Sequence, residues 1–187
     1  MAETRRIVLY LAASLDGFIA RRDGGIDWLP AMGKEDYGYA QFLSGVDAVV
    51  MGRITYEQVL TLGPYPYAGK KGYVFTTARR GRDDNVEFVG GDIQTFVDGL
   101  RSSPGKDIWL VGGARLAQGF LRAGAVDRMI LTIVPHLLGE GIPLFDGGPE
   151  GPLVLMESRT FRDGLVQLRY EFEAQSLTRE WPSAPGP

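Results

Sequence analysis

The feature that most constrains this chain is a junction that occurs twice. An apolar run rich in β-formers stops at glycine, and a helical pattern opens with an arginine near its start. The two copies are Met51-Gly52-Arg53-Ile54-Thr55 and Val111-Gly112-Gly113-Ala114-Arg115-Leu116. A buried strand that runs straight into a helix implies a crossover, and crossovers build parallel sheets covered by helices. The rest of the chain follows the same alternation. Residues 7–13, 47–51, 73–76, 86–89, 107–111 and 128–134 read as strands, with Phe18, Ile19 and Ala20 resuming briefly after a turn. Residues 35–44, 55–62, 93–101 and 115–122 read as helices, and Thr55 with Gln58 has the spacing of a capping box. Residues 153–161 and 165–173 flank Arg162-Asp163-Gly164 and read as a closing hairpin. The expected fold is therefore α/β. Its central sheet is mixed but mostly parallel, with helices on both faces and a C-terminal antiparallel hairpin. One domain over residues 1–174 accounts for the pattern, and the polar, proline-rich residues 175–187 read as a flexible tail.

Composition narrows the chemistry. The chain has 187 residues, 44% hydrophobic and 23% charged, which suits one compact soluble domain. A net charge of −3 argues against non-specific nucleic-acid binding, which needs a basic face. There is no cysteine, so disulfides, thiolate zinc sites and cysteine nucleophiles are excluded. His136 is the single histidine. It leaves no ordinary metal-ligand cluster, and no metal is expected. No apolar run is long enough to cross a bilayer, and residues 1–6 do not read as a signal peptide. A cytoplasmic location with no membrane partner is expected.

The two junctions carry the strongest chemical signal. Helix N-termini expose unpaired N–H groups and a positive dipole end. Glycine lets an oxygen approach the backbone, and arginine offers a charged fork to phosphate. Two such sites at the ends of strands in one sheet suit a dinucleotide. The arrangement is not the Rossmann pattern, since no G-x-G-x-x-G follows the first strand. Thr76-Thr77-Ala78-Arg79-Arg80, with Arg82, places hydroxyls and arginines at a strand end. That composition suits a ribose 2′-phosphate and so favours NADP over NAD. Each junction alone is also an ordinary turn, and the arginines alone also suit a solvated loop.

An ordered set of motifs resembles a known family. Ser14-Leu15-Asp16-Gly17-Phe18-Ile19-Ala20 resembles the opening of riboflavin-pathway reductases. Asp47-Ala48-Val49-Val50-Met51-Gly52-Arg53-Ile54-Thr55-Tyr56-Glu57 is similar to the M-G-R-x-T-[WY]-E motif of dihydrofolate reductases. Val111-Gly112-Gly113-Ala114-Arg115-Leu116, Asp127-Arg128-Met129-Ile130-Leu131-Thr132 and Leu138-Gly139-Glu140-Gly141-Ile142-Pro143-Leu144-Phe145 resemble later segments of the same superfamily. The resemblance runs from Ile7 to Glu173. It implies a three-layer dihydrofolate reductase-like fold, NADPH as cofactor, a small heterocyclic substrate and a homodimer.

The resemblance also implies roles for particular residues. Ala12 and Ile19 would flank the nicotinamide. Gly52, Arg53, Ile54 and Thr55 would hold the pyrophosphate and adenosine side, with Gly112, Gly113, Ala114, Arg115 and Leu116 as the second phosphate cradle. Thr76 and Thr77, with Arg79 beside them, would meet the 2′-phosphate. Asp36 falls where dihydrofolate reductases keep the catalytic, substrate-binding carboxylate, with Glu35 as the fallback. In a half-buried pocket a carboxylate holds its proton more tightly and can relay it. The alternative for Asp36 is a charge at a helix start. Trp28 would lie over the substrate or pack in the core. Thr132 would face the pocket or be an ordinary strand residue. Lys70 would meet a substrate's charged tail or be solvated. His136 is expected to end a strand without chemistry. Ala40 and Asp27 stand where folate-binding members place a large aromatic and a proline. These departures, with the Ser-Leu-Asp-Gly motif, point to the riboflavin-type branch, which reduces an aminopyrimidine sugar phosphate. The alternative function is a nucleotide-binding or regulatory protein that keeps the fold without turnover.

Overall fold

The computed structural model describes residues 4–30 and 35–172. The elements in chain order are β1 (Ile7–Ser14), β2 (Phe18–Ala20), α1 (Tyr39–Ser44), β3 (Val46–Gly52), α2 (Arg53–Thr61), β4 (Lys71–Phe75), β5 (Gly81–Arg82), β6 (Val86–Val89), α3 (Ile93–Arg101), β7 (Asp107–Gly112), α4 (Ala114–Arg122), β8 (Arg128–Val134), β9 (Ile142–Pro143), β10 (Leu153–Thr160) and β11 (Val166–Phe172).

Nine strands form one sheet in the order β10-β11-β8-β1-β7-β3-β4-β6-β5, and β2 pairs with β9 in a separate ribbon. The run from β8 to β6 is parallel. The hairpin β10-β11 adds antiparallel strands beside β8, and β5 does the same beside β6. The mixed, mostly parallel α/β sheet expected from the alternation is present.

The period of two along β3 shows why both faces are covered. Ala48 and Val50 point to one face and pack with Val97 and Leu100 of α3 and Ala117 and Phe120 of α4. Val49 and Met51 point to the other and pack with Tyr56 of α2 and with Trp109. All four β3 residues are fully buried, as expected of a central strand in a sheet with helices on both sides. Tyr10 also lies on the α1–α2 face, where Phe42 meets its ring edge-on at a centroid distance of 4.6 Å.

Several boundaries differ from the sequence expectation. The helix expected over 35–44 is only α1. Tyr37 and Gly38 take φ of 50° and 80°, and a right-handed helix cannot pass through left-handed residues. Tyr37 is held there from outside: its hydroxyl donates to Asp163 and its ring meets Phe161 edge-on. The helix expected from Thr55 begins at Arg53 with Gly52 as its N-cap and no side-chain cap. The capping box fails because Thr55 lies inside the first turn and not at the N-cap; Gln58 Nε2 donates to the Gly24 carbonyl. The strands β5 and β9 have two residues each, too short to leave a periodic trace. The tail and residue 173 of the hairpin lie outside the described residues, as do residues 31–34 of the loop after Ala20. Among the described residues, no helix is long and apolar enough to cross a membrane.

Candidate cofactor and substrate site

Strand order locates the crevice before any side chain is considered. From β3 the chain leaves through α2 toward β4; from β7, the neighbour of β3, it leaves through α4 toward β8 on the other side. Adjacent parallel strands whose connections diverge form a switch point, and ligands of open α/β sheets bind at the carboxyl ends of such strands. Gly52 and Gly112 end these two strands.

The two junctions meet there. Met51 pairs with Gly112. A Cβ built on Gly52 would stand 3.8 Å from both the Gly112 carbonyl oxygen and the Gly113 nitrogen. A side chain on Gly52 would thus stand in ordinary contact with the Gly112-Gly113 backbone. Gly112 has φ of 118°, where an L side chain is strained, and its peptide bond to Gly113 is cis. A Cβ on Gly113 would come within 3.1 Å of Thr55 Oγ1.

The starts of α2 and α4 differ from that of α3. The Asp92 carboxylate caps α3, accepting from the Thr95 N–H at 2.8 Å. Neither α2 nor α4 has a side-chain cap, and neither has an acidic residue in its first turn. Both instead carry an arginine there. A cation at the positive end of a helix dipole is unfavourable by itself, so the local potential is built for an anion. Arg53 is steadied by Glu57 at 2.6 Å, one turn along α2. Arg115 is exposed on α4. Ile54 is 73% exposed, a large apolar surface beside the groove. Ala114 and Leu116 are half-buried at the start of α4.

Thr76, Thr77 and Arg79 follow β4, the neighbour of β3, at the same sheet edge. Thr76 Oγ1 accepts from the Ala78 N–H at 3.1 Å, and Arg80 donates to the Thr76 carbonyl at 2.7 Å. The Arg79 guanidinium stacks 4.0 Å above the Phe88 ring. This turn presents the exposed Thr77 and a cation held flat by an aromatic face.

On the other side of β7, Ala12 of β1 pairs with Thr132 of β8, which pairs with Gln167 of β11. Trp28 packs with Val134 and Leu165, and Ala12 lies against this cluster. The Trp28 ring is thus a core residue, yet its buried Nε1 has no hydrogen-bond partner. His136 is exposed just after β8, its ring 6.2 Å from that of Trp28. Ile19 of β2 is half-buried. Ser14-Leu15-Asp16-Gly17 is a clasp: the Asp16 carboxylate accepts from Ser14 Oγ at 2.6 Å and from the N–H groups of Leu138 and Gly139. These bonds, led by the Ser14 hydroxyl, hold the Asp16 carboxyl down to about 2.

Two expectations need correction. Asp36 is exposed, not half-buried, and its carboxylate accepts from the Ala40 N–H at 3.0 Å. Its short side chain folds back to cap the start of α1, the alternative role open to it from sequence; Glu35, the fallback, is also exposed. Lys70 lies at the amino ends of β3 and β4, at the sheet edge opposite the glycine groove. Its Nζ donates to the Leu43 and Val46 carbonyls at 2.7 and 2.8 Å, closing the end of α1. The structure does not bring it to the site.

Beside Thr132 stand Gln167 and Tyr10, neither of them singled out in the sequence. Tyr10 shares the face of Ala12 by strand alternation, a signal present in the run Leu9-Tyr10-Leu11-Ala12. Gln167 is 1% exposed and gives no such signal.

The uncharacterized protein YwjB of Bacillus subtilis is 45% identical over 170 residues, 89% of this chain and 97% of its own. A crystal structure of a protein provisionally assigned to riboflavin biosynthesis, from Shewanella sp. PV-4, superposes with a TM-score of 0.81 at 29% identity; the match covers 91% of this chain and 98% of that one. At 16% and 14% identity the likeness is of fold alone. The Thermotoga maritima diaminohydroxyphosphoribosylaminopyrimidine deaminase/5-amino-6-(5-phosphoribosylamino)uracil reductase gives 0.68 over 90% of this chain and 56% of that one. Dihydrofolate reductase from Enterococcus faecalis, complexed with NADP(H), also gives 0.68, over 91% and 98%. The fold is dihydrofolate reductase-like. A family model matches residues 5–167, and the chain belongs to the RibD C-terminal domain family.

Proposed function

We propose that the chain is an NADPH-dependent reductase of a pterin, aminopyrimidine or related heterocycle. The observation that carries this reading is the pair of uncapped, arginine-bearing helix ends that meet across Gly52 and Gly112-Gly113. Their free N–H groups and two guanidinium groups would hold a pyrophosphate. Thr76, Thr77 and Arg79 would take the 2′-phosphate, and Ala12 with Thr132 would wall the ring beside the substrate. A reduced nicotinamide bound there would supply the hydride; the residues would orient the rings and exclude water.

Calorimetry tests the site. NADPH is expected to bind with NADH much weaker, and Gly113→Asp to lower NADPH affinity at least a hundredfold. That variant puts a carboxylate among phosphates and a side chain against Thr55. Unchanged affinity would overturn the assignment.

Binding without turnover is the second reading. It is favoured by Asp36, whose carboxylate is exposed and already engaged by the Ala40 N–H. Under it, NADPH binds but no dihydropterin or ribosylaminouracil phosphate consumes it. We also infer a homodimer, supported by the exposed Val154, Leu155 and Met156 on the edge strand β10.

A further inference from the structure

Tyr10 joins two residues that the reductase reading treats separately. Gln167 Nε2 lies 3.3 Å from the Tyr10 hydroxyl oxygen, 3.2 Å from Thr132 Oγ1 and 3.3 Å from the Tyr37 carbonyl, so its two N–H groups are shared among three acceptors. The phenol is within electrostatic reach of Asp36, which precedes α1, and of Arg169 on β11. Tyr39 of α1 is a further titratable neighbour, its ring centroid 6.4 Å away. Tyr10 is half-buried, and the Asp36 residue that acts on it electrostatically is exposed.

Gln167 shows that this cluster is incomplete. The residue is 1% exposed, and its Oε1 is buried without a partner. Exchanging the ends of the amide moves the unpaired position to the other atom without removing it. Leaving such a group unmet costs about 1–3 kcal/mol. A chain that keeps one at the head of an otherwise satisfied network leaves a place for a ligand atom or for a rotated hydroxyl.

We infer that Tyr10 Oη is the substrate-facing proton donor of the pocket, positioned by Gln167 and Thr132, and that it meets a ring or imine nitrogen of a neutral heterocycle. This rests on the reductase reading above. In the reaction, the substrate C=N bond gains hydride at carbon from the reduced nicotinamide and a proton at nitrogen from Tyr10 Oη. The phenolate regains a proton from water. When the phenol gives up its hydrogen, the Gln167 amide N–H remains to hold the oxygen.

The protonation state suits the task. Burial raises the Tyr10 phenol above its usual value; the Gln167 hydrogen bond and Arg169 pull it back, and Asp36 raises it further. The net direction is upward, so the donor is fully protonated at neutral pH. A phenol donor gives a rate that is flat through the neutral range and falls only in strong alkali. A carboxylic-acid donor would give a rate that falls steadily as pH rises from the acid side.

The experiment compares wild type, Tyr10→Phe and Gln167→Met, all checked for folding by melting temperature. Three quantities are measured: NADPH affinity; affinity of the NADP⁺ complex for 7,8-dihydropterin and for 5-amino-6-ribosylaminouracil 5′-phosphate; and the pH profile of NADPH oxidation with each. Tyrosine labelled with ¹³C at Cζ adds a readout free of turnover, the Tyr10 resonance being the one lost in Tyr10→Phe. Expected are unchanged NADPH affinity in both variants and a Tyr10 resonance that moves when a heterocycle is added. Tyr10→Phe should bind that heterocycle about tenfold more weakly and turn over at least a hundredfold more slowly, the scale of general acid catalysis. Gln167→Met should lower kcat more than it raises KM and shift the Tyr10 resonance. Wild-type heterocycle affinity and pH profile in Tyr10→Phe would overturn the inference while leaving the reductase reading intact. So would a wild-type complex that binds none of these heterocycles. Failure of wild type to bind NADPH would overturn the underlying reading instead.

Discussion

Asp16 shows how one side chain can tie two distant loops together. Its carboxylate ties the turn after β1 to Leu138 and Gly139, more than a hundred residues away. Its folded value is depressed to about 2 from the ordinary 3.8. A depressed carboxyl stabilises the fold above its unfolded value, and that contribution fades as pH falls through the folded value. Asp16→Asn should therefore melt below wild type at pH 6, with the gap closing between about pH 4 and pH 2. A gap that is constant across that window would mean the clasp does not depend on the charge. Because Leu15, 63% exposed, and the strand leading to Ile19 hang from this turn, the same variant should loosen NADPH binding modestly.

At the scale of the element, α2 and α4 part from α3 by what meets their first turns. α3 is closed by its own Asp92, whereas α2 and α4 offer free N–H groups and a cation in the least favourable place for one. Arg115→Glu reverses that at α4. It should leave the melting temperature unchanged or raise it, by at most about 1 kcal/mol of stability, while NADPH affinity falls at least tenfold. A fall in both, or in neither, would show that Arg115 serves the fold and not a ligand. These junctions were legible because a glycine that ends an apolar run leaves a mark within a few residues. The start of α1 was not legible, because Tyr37 is set by Phe161 and Asp163. The place of Asp36 was readable by spacing from Gly52, but its exposure was not, since burial depends on what packs above. Lys70 looked free in a glycine-rich loop because its acceptors are carbonyls, which carry no residue identity. Gln167 finds Tyr10 across 157 residues, and alternation along β11 alone cannot say that its neighbours are a phenol and a threonine.

For the whole molecule, the two edges of the sheet pose different problems. One edge ends in β5, a two-residue strand, and a short edge offers little to pair with. The other ends in β10, which is eight residues long and exposed over most of its length. Val154, Leu155 and Met156 are 40, 52 and 56% exposed in succession, because an irregularity between Leu155 and Glu157 breaks the alternation. An irregular edge resists open-ended strand addition, yet three neighbouring apolar side chains still favour burial. A two-fold contact in which this patch meets its own copy satisfies both conditions, since it closes and cannot grow into a filament. Light scattering is expected to give twice the chain mass for wild type and the single mass for Leu155→Lys, with an unchanged fold because Leu155 is exposed. The candidate cofactor groove lies at the carboxyl ends of β3 and β7, several strands from β10, so the monomeric variant should bind NADPH as wild type does. If it lost NADPH binding together with the dimer, the groove would depend on the partner subunit, and a site built from one chain alone would be wrong.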